Sequence, residues 1–254
     1  MPTPVEFMNR YRNIGVDVEV DDPVTQVCRV TKVTVRLNKY FMMNWTAGAS
    51  QMTHYDVVAG GSTKNVWFQQ NKERIRTAAM GKGAPDDYAL ALEWAVYSKK
   101  IANPSQTTIQ TYFDQNMGID CSGFVTNYLV AIGKKAYSAD TLRNTSAESY
   151  FNPANAVNDA SQIRRGDLLV FMKGNSVLRG PGHVTVVDSY VPQSMPGGNM
   201  RVVEATGANG ANPKLLNSMY TVEKIIDKGG QVPCMILVVK RHGVSGSQVA
   251  VIRV

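Results

Sequence analysis

Apolar positions along the chain follow two different periods. Residues 24–37, VTQVCRVTKVTVRL, are β-branched and roughly alternate apolar with polar, which predicts one long strand or a bent pair. HYDVVAG and NVWFQQ predict further short strands, with TAGAS and AGGST as turns, so residues 1–70 read as strand-rich. The period then lengthens. APDDYALALEWAVYSKKIANPS places Leu90, Trp94, Tyr97 and Ile101 on one face of a helix. Asp86 and Asp87 suit the positive end of its dipole, and Lys99 and Lys100 the negative end. A second helix is predicted from Cys121, with Phe124, Val125, Tyr128, Leu129 and Ile132 as its apolar stripe and Gly133 as its stop. After it the period falls back to that of strands, in DLLVF (167–171), HVTVVDSY (183–190), MRVVEA (200–205) and CMILVVK (234–240). Helices first and strands afterwards, joined by short loops, predict an α+β fold with an antiparallel sheet. The clearest shift in composition, NKERIRTAAMGKGAP, separates a strand-rich N-terminal extension or module, residues 1–75, from a main domain, residues 76–254.

Composition narrows the class. With 254 residues, 44% hydrophobic and 19% charged, the chain is an ordinary globular one, and no apolar run approaches the roughly 20 residues that cross a bilayer. The first twenty residues, MPTPVEFMNRYRNIGVDVEV, contain no apolar core of about 7–15 residues and no small-residue cleavage site. The expectation is a protein made in the cytoplasm without a secretory signal. The net charge of +7 suits an anionic partner, but the basic residues are scattered in pairs rather than gathered in a nucleic-acid arm. Three cysteines, Cys28, Cys121 and Cys234, are too few for a disulfide scaffold, although a Cys28–Cys234 bridge stays open for an oxidising compartment. With no CxxC or HxxxH, and with His54, His183 and His242 far apart, no metal and no other cofactor is expected.

Candidate chemistry centres on GIDCSGFV, residues 118–125. A catalytic cysteine reacts as thiolate, which a helix N-terminus and an adjacent imidazolium both favour. Asp120 is a credible N-cap that would put Cys121 in the first turn, where free N–H groups can also stabilise an oxyanion. Gly123 lets a substrate approach that turn. Taken alone, a cysteine at a helix start is more often structural. His183 opens an apolar strand behind a Gly-Pro-Gly loop, and Glu204 interrupts another, RVVEAT. A carboxylate among Val and Ala needs a partner, and an imidazole is an obvious one. Asp167 reads as the turn into a buried strand, Asp188 as a strand-end surface residue, and His54 and His242 as carrying no special role.

In this order and spacing, DCSGFV, RRGDLLVF and GHVTVV resemble the signature blocks of the NlpC-type cell-wall peptidases over roughly residues 86–241. The resemblance implies a papain-like core, with the cysteine on a helix N-terminus packed against an antiparallel sheet, and residues 76–254 as the catalytic domain. It implies hydrolysis of amide bonds in peptidoglycan stem peptides, with Cys121 as nucleophile and His183 as base. Asp120 and Ser122 match the residues beside the nucleophile, and these two, Gly123 and Tyr112 are the substrate-binding candidates. The third position of the family is usually His, Asn or Gln; here Glu204 holds it. The family's aromatic-Gly-Gly block is replaced by TYFDQNMG, with Tyr112 as a weak substitute. Without a secretory signal, such an enzyme would reach the cell wall of a target bacterium by injection or lysis. It would be an effector of a type VI-like secretion system or a phage enzyme, matched by an immunity protein in the producer. The alternatives are an amidase, deamidase, acyltransferase or lipid hydrolase with another substrate, or a non-catalytic module of a phage or secretion apparatus.

Overall fold

A computed structural model describes residues 1–21, 28–40, 63–180, 182–193, 197–207, 212–227, 229 and 233–254. The expected short strand HYDVVAG, the turn TAGAS and His54 lie outside the described residues. The chain opens with helix α1 (Pro4–Tyr11), whose Thr3 and Glu6 form a reciprocal capping box ahead of Pro4. Strands β1 (Ile14–Asp21) and β2 (Cys28–Val35) then form an antiparallel hairpin. Helices α2 (Thr63–Ala79), α3 (Pro85–Tyr97), α4 (Gln106–Asn116), α5 (Cys121–Ala131) and α6 (Ala139–Asn144) follow. NVWFQQ is thus part of α2 and not a strand, and α1 also falls in the region expected to be strand-rich.

The second half supplies β3 (Leu168–Lys173), the short β4 (Ser176–Val177), β5 (Val184–Val191), β6 (Gly198–Ala205), β7 (Leu215–Ile226), β8 (Ile236–Arg241) and β9 (Val244–Ile252). Here the expected papain-like core, a helix packed on an antiparallel sheet, is overturned. Strands β3, β5, β6, β7, β8 and β9 pair in that order, and β9 returns to pair with β3, so the sheet closes into a six-stranded antiparallel barrel. The physical cause lies in two strands that the apolar pattern did not reveal. An open sheet of the four expected strands keeps two free edges. Strand β9 bonds to β8 on one side and, from Leu168↔Ile252 to Met172↔Gln248, to β3 on the other. No edge is left at that seam.

Closure gives the sheet two buried faces. Leu169, Phe171, Val202, Tyr220, Leu237 and Val251 fill the interior. Leu168, Val170, Val186, Val203 and Ala205 point outward and share one core with Phe7, Val16, Leu92 and Phe124 of the N-terminal half. This is why the strands read as continuous apolar runs rather than alternating ones. Helix α5 is buried from Cys121 to Leu129 because the barrel, α1 and α3 surround it.

The shared core makes a test of the expected boundary. Ile75, Ala78, Ala79 and Met80 are buried, the first three of them in the core that also holds Phe124. Limited proteolysis of the folded chain is expected to spare residues 70–85. An early cut there, leaving a stable fragment from about residue 76, would instead show residues 1–75 to be a separable module.

Candidate active site

The N-terminus of α5 is built by its cap. Asp120 is extended (φ −93°, ψ 169°), and its Oδ1 accepts the Gly123 N–H at 2.5 Å. The carboxylate is itself buried and is held from behind by Lys82, whose ammonium lies 2.6 Å from Asp120 Oδ2. Lys82 is 4% exposed; it also donates to Thr145 O at 2.8 Å and to the Ser122 hydroxyl. Burial pushes the Asp120 carboxyl up, and the charge and hydrogen bond of Lys82 oppose that. The loop carrying Lys82 lies against the first turn of α5. Gly81 O accepts the Asp120 N–H at 3.0 Å, and a Cβ on Gly123 would stand 2.6 Å from that same oxygen. Gly123 therefore makes room for backbone of this chain. Ser122 is turned inward and donates to Thr145 O at 3.0 Å.

This frame leaves the Cys121 thiol among three neighbours. Its Sγ donates to Gly182 O at 4.0 Å, and it stands close enough to His183 and Tyr40 to raise the pKa of both. Tyr40 is placed by a parallel bridge to Ile119, and its ring packs against Gly207, where an added Cβ would stand 3.2 Å from Cδ1. Burial, then the charges of Cys121 and Asp120, push the Tyr40 hydroxyl well above its ordinary range. Sequence reasoning missed both Tyr40 and Lys82, because neither stands in a recognisable motif. Tyr112, the aromatic candidate, is half-buried on α4 and packs against the main core.

His183 immediately precedes β5, and its ring stands edge-on to Phe171 at 4.8 Å. Its Nε2 lies 2.9 Å from Glu204 Oε2, which leaves Nδ1 for the cysteine. Glu204 is fully buried on β6, on the interior side of the barrel with Val202 and Met200. Strand β7 sends the Tyr220 hydroxyl to the same Oε2 at 2.9 Å, and Arg241 of β8 approaches it to 3.6 Å. His242, in the β8–β9 turn, puts its Nε2 2.9 Å from Oε1. His242 had carried no special reading, and its partner lies 38 positions away with no local signal between them.

Charges in this cluster support one another. Burial alone would depress the His183 imidazolium, but hydrogen bonds to Cys121 and Glu204, with the charges of both, lift its pKa from the usual 6.5 to about 9. Burial likewise opposes ionisation of Glu204. Hydrogen bonds from His183 and His242, with the charge of His183, outweigh it and hold the carboxyl well below its usual range. Asp188, the other acidic candidate, lies on β5 and takes the Arg165 side chain on its backbone oxygen. Asp167 is a buried turn residue, its carboxylate accepting the Arg164 N–H and pairing with Arg253 at 3.1 Å. Cys28 and Cys234 are not joined by a disulfide. Among the described residues no group of three or more His, Cys, Asp or Glu could hold a metal ion, and no helix is long and apolar enough to cross a membrane. A cavity of about 570 Å³ lies elsewhere, beside the C-terminal end of α5, lined by Phe7, Arg10, Asp86, Val130 and Tyr137 among others. Comparison with family models, with curated proteins and with solved structures gave no match.

Two measurements follow from these pairs. Lys82→Met strands the buried Asp120 carboxylate, so it should cost about 3–5 kcal/mol in a denaturant melt, and adding Asp120→Asn should recover much of the loss. The His183 pKa is raised in the folded state, so the stability it contributes is fully present below 6.5 and is lost as the pH rises through about 9. The melting temperature should fall across that window, and the fall should be shallower in Glu204→Gln.

Proposed function

We propose that the protein is a cysteine hydrolase that cleaves amide bonds, with Cys121 as nucleophile, His183 as base and Glu204 orienting His183. The observation that carries this reading is a relay drawn from three separate elements. A cysteine at a capped helix N-terminus interacts with an imidazole whose Nε2 lies 2.9 Å from a fully buried carboxylate. A histidine set between a thiol and a carboxylate in this way suits proton transfer better than packing.

In the proposed reaction the sulfur attacks the carbonyl carbon of the amide. His183, protonated below about 9, gives its proton to the leaving amine, and the C–N bond breaks to give a thioester. Water then attacks the thioester carbon while the now neutral His183 takes a proton from it, and the C–S bond breaks to release the acid and restore the sulfur beside protonated His183. Glu204 remains ionised throughout, fixing the ring through Nε2 and stabilising the imidazolium. The Cys121 N–H at the positive end of α5, with the Tyr40 hydroxyl beside it, is suited to the oxyanion that forms in each half. The substrate class is argued from sequence. The ordered blocks DCSGFV, RRGDLLVF and GHVTVV resemble those of NlpC-type cell-wall peptidases, and the net charge of +7 suits an anionic wall polymer. Peptidoglycan stem peptides are therefore the proposed substrate.

The test is digestion of purified peptidoglycan, with released fragments identified by mass spectrometry. Cys121→Ala and His183→Ala should each lower kcat/KM by about a thousandfold or more, Glu204→Ala by less and Glu204→Gln by least. The rate should fall as the pH rises through about 9, where His183 loses the proton destined for the leaving group. Full activity in Cys121→Ala would sink the reading. Release from another amide substrate, with peptidoglycan untouched, would keep the chemistry and discard the wall.

A further inference from the structure

We propose that His242 is a positioning residue of this site, holding the second oxygen of Glu204 so that the carboxylate meets His183 in one orientation and with a shared, moderated charge. The inference rests on the hydrolase reading and adds to it a residue outside the Cys–His–Glu relay. Glu204 divides its two oxygens between two imidazoles. Oε2 takes His183 and the Tyr220 hydroxyl, each at 2.9 Å, and Oε1 takes His242 at 2.9 Å. A carboxylate held at one oxygen can still rotate about its last bond, whereas one held at both cannot.

The backbone of the turn argues in the same direction. His242 has φ +46° and stands before Gly243 at φ +81°, so both central residues of the β8–β9 turn are left-handed. Glycine or asparagine is the usual choice there, since a side chain is strained in that region. Strain kept next to a buried functional carboxylate points to a use for the side chain. The imidazole is also largely covered, 21% exposed, and stands edge-on to Tyr220 at 6.5 Å.

The electrostatic consequence has a definite sign. The charged and titratable groups around Glu204 are His183 ahead of β5, Tyr220 on β7, Arg241 on β8 and His242 in the turn, with Cys121 of α5 and Tyr40 beyond His183. A donor on Oε1 draws negative charge away from Oε2. Without it, charge gathers on Oε2, and His183 holds its proton more tightly. His242 thus keeps the base weak enough to release its proton to the leaving amine.

The test uses the full chain carrying His242→Gly, a substitution suited to the positive φ, and His242→Gln, which keeps an amide donor. His242→Gly should melt near the parent temperature and lose about tenfold or more in kcat, with KM changed by less than about twofold. Histidine NMR, read without substrate, should show the His183 titration moving up from about 9. His242→Gln should recover most of the rate and the parent titration. Unchanged kcat in His242→Gly overturns the proposal. So does a lower kcat with an unmoved His183 titration, because a merely structural residue would give that result. If His242→Gly fails to fold, His242→Gln and His242→Phe decide by the same two readouts. Failure of the underlying reading looks different: the parent protein would then show no Cys121-dependent hydrolysis at all.

Discussion

A carboxylate with no exposure to water, Glu204, sets the terms for one end of the barrel. An ionised group in such a place is tolerated only if its oxygens are occupied by donors. Here the donors come from four directions: His183 ahead of β5, Tyr220 on β7, Arg241 on β8 and His242 in the following turn. Strands β5, β6, β7 and β8 are successive neighbours in the sheet, which places these groups around one point. Closure of β9 onto β3 curves the strands into a ring and brings their ends over the interior. Without the carboxylate this end of the barrel would hold two imidazoles and a guanidinium with nothing to balance them.

The position of Cys121 depends on a second buried pair in the helical layer. The Lys82–Asp120 contact fixes the cap of α5, and the cap fixes the first turn. Because α5 is buried on all sides, it cannot slide to relieve a poor contact with His183. Two ion pairs on opposite sides of the Cys121–His183 contact thus define its geometry. One comes through the helix and one through the barrel. The cost of burying their charges is offset mainly by fixed position.

Several elements were legible from residues alone. Helix α3 showed its acidic first turn, but it ends at Tyr97, short of Ile101. The face it buries is Tyr88, Ala91, Leu92, Trp94 and Ala95 rather than the expected stripe, of which it shares Trp94. Helix α5 showed its stripe and cap. Four of the barrel strands showed as compact apolar runs. Others were hidden for identifiable reasons. In β7, LLNSMYTVEKII, the interior residues Ser218, Tyr220 and Val222 alternate with Asn217, Met219 and Thr221, so the segment lacks a continuous apolar run. In β9 the first half is Val-Ser-Gly-Ser, which reads as loop, and only Val249 to Ile252 carry the apolar signal. Helix α4 is mostly polar, burying only Ile109 and Phe113, so it carries no apolar stripe. In α2 a β-rich reading of NVWFQQ lost to tertiary packing, with Phe68 stacked on Trp94 at 4.2 Å.

What the sequence by itself determined was the chemistry available at each position. It offered one cysteine with a helix-cap context, one histidine behind a Gly-Pro-Gly loop and one carboxylate stranded among Val and Ala. The need of that carboxylate for an imidazole followed from desolvation alone, before any coordinates. That it meets a second imidazole, His242, besides His183 was decided only by the tertiary structure. Glu204 and His242 are 38 positions apart, and their meeting depends on the twist and closure of a barrel whose last strand gave little sign of itself. The same holds for Lys82, Tyr40 and the inward turn of Ser122. Local pattern records what a residue needs, because burial costs are local properties of side chains. It does not record which distant residue meets that need, because strand closure is a property of the whole sheet.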